Sequence, residues 1–258
     1  MVKIWAHRGA RRQAPENTLA AFQAAVELGA DGVELDVQLT ADGQLVVFHD
    51  ERLERLTDGR GLVRDHTLAE LKQLRVAGPP VAGADTATIP TLADVFILLA
   101  GTGLEINVEI KDAVVFYDHL ADQVSQLIDD FELGPYVTLS SFNHCSLAQL
   151  RRHGSMARTG VLFTDILYEP WVYGAQLWAT ALHPHFRYVD YVADLVDSAH
   201  AAQLEVNVWT VNQPADIQRM IDLGVDAIIT DEPEQALALC HVAQPDVALE
   251  FGVSPVGG

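Results

Sequence analysis

The sequence predicts an α/β fold, a closed (β/α)8 TIM barrel, on three observations. Nine short β-rich apolar runs alternate with helical stripes, two of the runs are separated only by a short stretch around Thr40-Ala41-Asp42-Gly43, and 258 residues is an ordinary length for one such barrel. Repeated βα units with apolar strands imply a parallel sheet covered by helices. A parallel crossover needs a dozen or more residues, so the two close runs must pair as an antiparallel hairpin. Setting the return strand aside leaves eight parallel strands, the barrel count.

The first run is Lys3–Ala6, followed by the stripe Leu19, Phe22 and Val26. Pro15-Glu16-Asn17-Thr18 before that stripe is a helix-start signal that also puts Glu16 or Asn17 near the end of the first strand. The close pair is Gly32–Val37 and Leu45–Phe48. If Asp42-Gly43 forms a two-residue hairpin turn, paired positions sum to 85 and His49 faces Asp36. Glu34 shares that face by strand alternation, and a one-residue slip would disperse the group. Residues 51–89 fit no regular βα unit: a turn-rich stretch, Arg55–Gly61, leads to a short helix at Leu68–Leu74 and then a Gly/Pro/Ala stretch, Ala77–Ala84. This reads as an insertion on the barrel without a core of its own, and a connection that long is often functional. The remaining strands are expected at Glu105–Ile110, Tyr136–Leu139, Gly160–Phe163, Leu177–Thr180, Glu205–Trp209 and Asp226–Ile229. Stripes at Val192, Leu195, Val196, Ala199 and at Ile217, Met220, Ile221 supply later helices. One barrel domain is expected over residues 1–242, with a loose tail over 243–258.

Composition narrows the partners. Forty-nine per cent apolar and 20% charged residues describe a packed core. Sixteen Lys and Arg against 36 Asp and Glu give a net charge of −20, which repels nucleic acid and anionic membranes but leaves room for a small anion at a local cationic site. Cys145 and Cys240 are scattered thiols that suit a reducing compartment and offer no zinc motif. No leader pattern or membrane-length apolar run is visible. A cytoplasmic protein with no stable membrane anchor, no nucleic-acid partner and a small-molecule substrate is expected; oligomeric state is left open.

Barrel active sites lie at the carboxyl ends of the strands. There stand His7-Arg8 after the first strand, Glu34 and Asp36 on the second, His49 on the hairpin return, and Glu109 with Lys111 on the next. Crowded carboxylates repel one another unless a cation sits among them, and an all-oxygen set suits Mg²⁺ or Ca²⁺ better than zinc. Arg8 and Lys111 are suited to phosphate oxygens, and two histidines can serve as a general acid/base pair. Together these residues describe phosphodiester hydrolysis. Each piece has a plainer reading, such as an ion pair for Glu109 with Lys111 or a Pro-centred loop for His183-Pro184-His185. Their joint position carries the argument. Glu16 and Trp209 are candidate site-lining residues, while Thr230-Asp231-Glu232-Pro233 reads as a turn and helix start.

The strings Ala6-His7-Arg8-Gly9, Pro15-Glu16-Asn17-Thr18, Gly29 to Val37, Val47-Phe48-His49-Asp50, Glu109-Ile110-Lys111, Trp209-Thr210-Val211-Asn212 and Thr230 to Pro233 follow in order. In this combination the chain resembles the glycerophosphodiester phosphodiesterase family, up to about residue 240. The resemblance implies a barrel related to phosphatidylinositol-specific phospholipases C. It also implies one divalent metal, Mg²⁺ or Ca²⁺, and cleavage of glycerophosphodiesters to glycerol 3-phosphate and an alcohol such as choline or ethanolamine. Glu34, Asp36 and Glu109 match the metal carboxylates, His7 and His49 the acid/base pair, and Arg8 and Lys111 the phosphate contacts. Residues 51–89 correspond to the family's insertion. Two rival readings are lysophospholipase D-like cleavage of lysophospholipids and a non-catalytic phosphodiester-binding protein.

Overall fold

In the computed structural model, which describes residues 1–80, 87–192 and 194–243, nine strands form one sheet. They are β1 (Lys3–His7), β2 (Gly32–Leu39), β3 (Leu45–Val47), β4 (Glu105–Ile110), β5 (Val137–Ser141), β6 (Arg158–Phe163), β7 (Ala181–Pro184), β8 (Glu205–Val208) and β9 (Ala227–Thr230). The order β1-β9-β8-β7-β6-β5-β4-β2 is parallel throughout and closes through β1–β2, while β3 pairs antiparallel with β2 alone. This is the expected eight-stranded barrel with a hairpin return. Outward-facing Ile4, Val33, Leu35, Val108, Leu139, Val161, Val206 and Ile228 are buried with the apolar faces of helices such as Leu19–Leu28, Leu120–Asp130 and Pro214–Asp222. Thr18 caps the first of these helices by accepting from Ala21 N, as the Pro15–Thr18 signal anticipates.

Three expectations need correction. The seventh barrel strand is Ala181–Pro184, not Leu177–Thr180. Leu177 caps the preceding helix, and exposed Trp178 has a left-handed backbone (φ +52°) that no strand adopts. His183 therefore points into the barrel, fully buried, with Nε2 accepting from Asn207 Nδ2 at 3.0 Å. Burial pushes its pKa down to about 3. Gly160 on the neighbouring strand leaves room for this imidazole, because a Cβ there would overlap it.

The second correction concerns the hairpin register. Val37 pairs with Val47 and Leu39 with Leu45, so partners sum to 84. The turn is a three-residue loop with Gly43 in the left-handed region (φ +74°), and Thr40 Oγ1 accepts from Gln44 N at 2.8 Å. Thirdly, the insertion does bury a cluster of its own: Leu53, Leu56, Val63, Leu71, Val76 and Ile89 pack with Val46 and Phe48 from the return segment. The short helix in it spans Leu68–Leu71. Ala243 ends the last helix, Pro233–Ala243; the rest of the expected tail lies outside the described residues, as do residues 81–86.

At the floor of the barrel, the first residues of alternate barrel strands β1, β4, β6 and β8 are Lys3, Glu105, Arg158 and Glu205. They form a layer of four. Lys3 Nζ meets Glu105 Oε1 at 2.5 Å, Arg158 Nη2 meets Glu205 Oε2 at 2.6 Å, and Trp5 Nε1 donates to Glu105 Oε2 at 3.2 Å.

Candidate active site

At the opposite end, β2 and β4 run in register with Asp36 beside Glu109 and Glu34 beside Asn107. Glu34 and Asp36 alternate inward with Glu109, so one carboxylate oxygen from each of the three lies within 4.8 Å of the other two. Among the described residues this is the one His, Cys, Asp or Glu group of three or more so arranged. Burial, with Asp36 and Glu109 alongside, holds the Glu34 carboxyl well above the usual range. Glu109 is also raised: burial and Asp36 push it up, while Lys111 pulls it down. Asp36 goes the other way. Burial pushes it up, but Arg8, Lys111, His49 and a 2.8 Å hydrogen bond from Asn17 Nδ2 hold it below the usual carboxylate range.

Two cations border this cluster. Lys111, one residue beyond β4, places Nζ 2.9 Å from Glu109 Oε1 and 3.7 Å from Asp36 Oδ1. Arg8 follows β1 in a left-handed backbone (φ +58°), and Asn17 shares that conformation (φ +57°). Asn takes this region readily, whereas it is uncommon for arginine. Arg8 N donates to Glu34 Oε2 at 3.1 Å, its Nη1 lies 2.7 Å from Glu16 Oε1, and its Nε lies 3.4 Å from Asp36 Oδ2. Glu16 is buried, and it also pairs with Arg11 (2.7 Å) and Arg55 (2.9 Å). It therefore anchors arginines behind the site.

The imidazoles flank the carboxylates. His7 Nδ1 lies 2.7 Å from Asp231 Oδ1, which can only accept, so Nδ1 carries the proton and Nε2 faces Glu34 Oε2 at 3.7 Å. Burial pulls this imidazole below its ordinary pKa against the opposing pull of Asp231. Asp231 is fixed by Asn212, which donates from Nδ2 at 2.9 Å and accepts the Asp231 N–H at 2.9 Å. His49 is built the same way: its Nδ1 lies 2.6 Å from Asp50 Oδ1, and Arg55 holds Asp50 from the other side.

In the observed register Phe48, not His49, is opposite Asp36, with Phe48 N donating to Asp36 O at 3.0 Å. Alternation alone would turn His49 away. Sheet pairing stops at Val47 and the chain bends at His49-Asp50. Buried Gln38 holds the bend by donating to Phe48 O and Asp50 O, both at 2.8 Å. The bend brings the imidazole into the electrostatic reach of Asp36 and Glu109.

Trp209 stands one residue past β8, with Nε1 donating to His183 O at 2.8 Å. The structure thus gathers His7, Arg8, Glu34, Asp36, His49, Glu109 and Lys111 at one barrel mouth, with Glu16 behind and Trp209 on the β8 side. Sequence reasoning missed Gln38, Asp50, Arg55, Asn212 and Asp231. Of these, Asp231 carried a usable signal, since it is the first residue past a barrel strand.

The carboxylate set suits a hard divalent cation. Its donors are all oxygen, Asp36 Oδ1 is buried without a hydrogen-bond partner, and Glu34 and Glu109 resist ionisation when left to themselves.

Residues 7–235 match the model of the Glycerophosphoryl diester phosphodiesterase family. The chain is 42% identical over 239 residues to the glycerophosphodiester phosphodiesterase of Caldanaerobacter subterraneus subsp. tengcongensis, covering 92% of this chain and 96% of that protein. Among solved structures it is similar to a glycerophosphodiester phosphodiesterase from Agrobacterium tumefaciens (TM-score 0.80, 30% identity, 92% of this chain and 100% of the other). It is equally similar to an Oleispira antarctica phosphodiesterase in complex with the product sn-glycerol-3-phosphate (TM-score 0.80, 30% identity, 92% and 96%).

Proposed function

The chain belongs to the glycerophosphoryl diester phosphodiesterase family and hydrolyses glycerophosphodiesters, and from that premise we propose a metal-assisted reaction with His7 and His49 as its acid/base pair. The products are glycerol 3-phosphate and an alcohol. Glu34, Asp36 and Glu109 would hold one divalent cation, Mg²⁺ or Ca²⁺. When bound, that cation supplies positive charge that polarises the phosphoryl group and offsets charge developing on its oxygens. The observation that carries this reading is the grouping of three carboxylates within 4.8 Å, bordered by Arg8 and Lys111.

Arg8 and Lys111 engage non-bridging phosphate oxygens, and their ties to Glu16 and Glu109 keep both side chains pointed at the mouth. One imidazole takes the proton of the attacking hydroxyl and the other gives one to the departing alcohol. Both rings are held through Nδ1 by Asp231 and Asp50, which leaves each Nε2 for that work. The attacking hydroxyl belongs either to water or to the neighbouring glycerol carbon. Normal turnover of a diester lacking that glycerol hydroxyl would exclude the second route.

The test is chelation and re-addition across a panel of glycerophosphodiesters. Release of glycerol 3-phosphate should vanish with chelator and return with Mg²⁺ or Ca²⁺. Full activity in a metal-depleted sample would overturn the cation's role. Cleavage of lysophospholipids has one observation in its favour: Val114 and Phe116 after β4, and Ile166 and Tyr168 after β6, are exposed on loops at the mouth. Parallel assays of glycerophosphocholine and lysophosphatidylcholine separate the two substrate classes.

A further inference from the structure

The mouth is divided. β1, β2 and β4 supply the charged residues described above, whereas the first residues past β5, β7 and β8 are Phe142, His185 and Trp209, all aromatic and partly exposed. Their rings touch. Phe142 stands 5.5 Å from Trp209 at an interplanar angle of 81°, and His185 stands 5.3 Å from it at 80°. The indole is fixed in this corner by its Nε1 bond to His183 O, and the β7 and β8 ends are joined where Phe186 N donates to Trp209 O at 3.1 Å. Three residues on from Trp209, Asn212 holds Asp231, the partner of His7. The indole of the aromatic corner and the residue that fixes the partner of His7 thus stand on one short segment, 209–212.

A phosphodiester bound by Arg8 and Lys111 has two organic arms, and one of them must leave the charged half of the mouth. We propose that the Phe142–His185–Trp209 corner seats the departing alcohol and selects a quaternary ammonium headgroup. The proposal rests on the hydrolytic reading above. A trimethylammonium group has no N–H to donate, so carboxylates and carbonyls cannot grip it by hydrogen bonds. Aromatic faces can, through the attraction of a cation to the ring quadrupole, which is strongest for indole. The surroundings agree with a cationic guest: the chain carries a net −20, and Asp231 is bonded to Asn212 at the end of that segment. Among the described residues, the cation stacked beside the corner is Arg187, which lies over the Phe186 ring at 5.7 Å and is exposed to water. Burial and Arg187 hold His185 below its ordinary pKa, so its ring adds no competing charge at neutral pH.

The experiment compares glycerophosphocholine with its neutral isostere, the glycerophosphodiester of 3,3-dimethylbutanol, by release of glycerol 3-phosphate. The two differ in charge and hardly in shape. The wild-type enzyme should prefer the choline diester by about tenfold in kcat/KM, expressed mainly in KM. In Trp209→Leu that ratio should fall towards one, and in Phe142→Leu it should fall part of the way. Should Trp209→Leu fail to fold, the wild-type ratio and the Phe142→Leu ratio carry the test alone. A wild-type ratio of one or less, or a ratio untouched by both substitutions, overturns the aromatic selection while leaving the hydrolytic reading standing. No release from either diester would instead remove the hydrolytic reading, and this proposal with it.

Discussion

At the floor of the barrel two cations and two anions are matched. Lys3 meets Glu105, Arg158 meets Glu205, and Trp5 satisfies the second Glu105 oxygen. At the mouth the same kinds of side chain fail to close. Glu34, Asp36 and Glu109 face Arg8 and Lys111, Asp36 Oδ1 and Arg8 Nε lack hydrogen-bond partners, and two of the carboxyls are held above their usual range. Clustered charge at the end of a barrel is therefore not in itself a sign of function. The sign is an interior charge set that its own neighbours leave unbalanced, because such a set is completed by something that binds.

This contrast can be broken experimentally. The largest effect is expected at Asp36→Ala, which removes the carboxylate touching Arg8, Lys111 and Asn17. Loss of glycerol 3-phosphate release on the order of 10³-fold, in a protein that still melts cooperatively, is the expected outcome. A loss under tenfold would reduce the mouth to another structural ion cluster. His7→Ala and His49→Ala should each cost about 10²–10⁴-fold in kcat, and changes under threefold in both would refute the paired role. Asp231→Asn keeps the shape but removes the charge that orients His7. A drop of about 10–100-fold is expected, the range found for outer partners of working side chains, and it should be largest in kcat. The smallest effect belongs to the floor. Arg158→Leu should lower the melting temperature by about 2–4 °C, in line with the roughly 1 kcal/mol of a partly exposed ion pair. It should leave kcat/KM within about twofold. A large activity loss there would erase the distinction between the two ends.

The barrel and most of the site were legible in the sequence because they rest on period-two alternation. Glu34 and Asp36 on one strand and Glu109 beside Lys111 needed only that and the rule that sites sit at strand carboxyl ends. What was not legible depends on geometry that alternation does not encode. Asp42-Gly43 fits a two-residue turn as well as the three-residue loop observed, and only backbone pairing tells them apart. The predicted meeting of His49 with Asp36 used the wrong register. The imidazole reaches the cluster through a bend clamped by Gln38, a residue 11 positions away in sequence whose pattern gives no hint of that role. The β7 strand was hidden by its content, since a buried His followed by Pro resembles a loop, whereas apolar Leu177-Trp178 resembles a strand. Asp231 was absorbed into a helix-start reading that is locally correct, because the helix Pro233–Ala243 does begin there.

Phe48 ties together parts that look separate. Its N–H is bonded to Asp36 O in the barrel, its ring lies in the small apolar cluster of the insertion, and the next residue is His49. The appendage thus works as ballast for the His49 side chain. Loosening it by opening a void at Leu71 or Val63 would slacken His49 without touching Arg8, Lys111 or the three carboxylates. A trimmed descendant of this chain could shed the appendage only by finding another mooring for that imidazole.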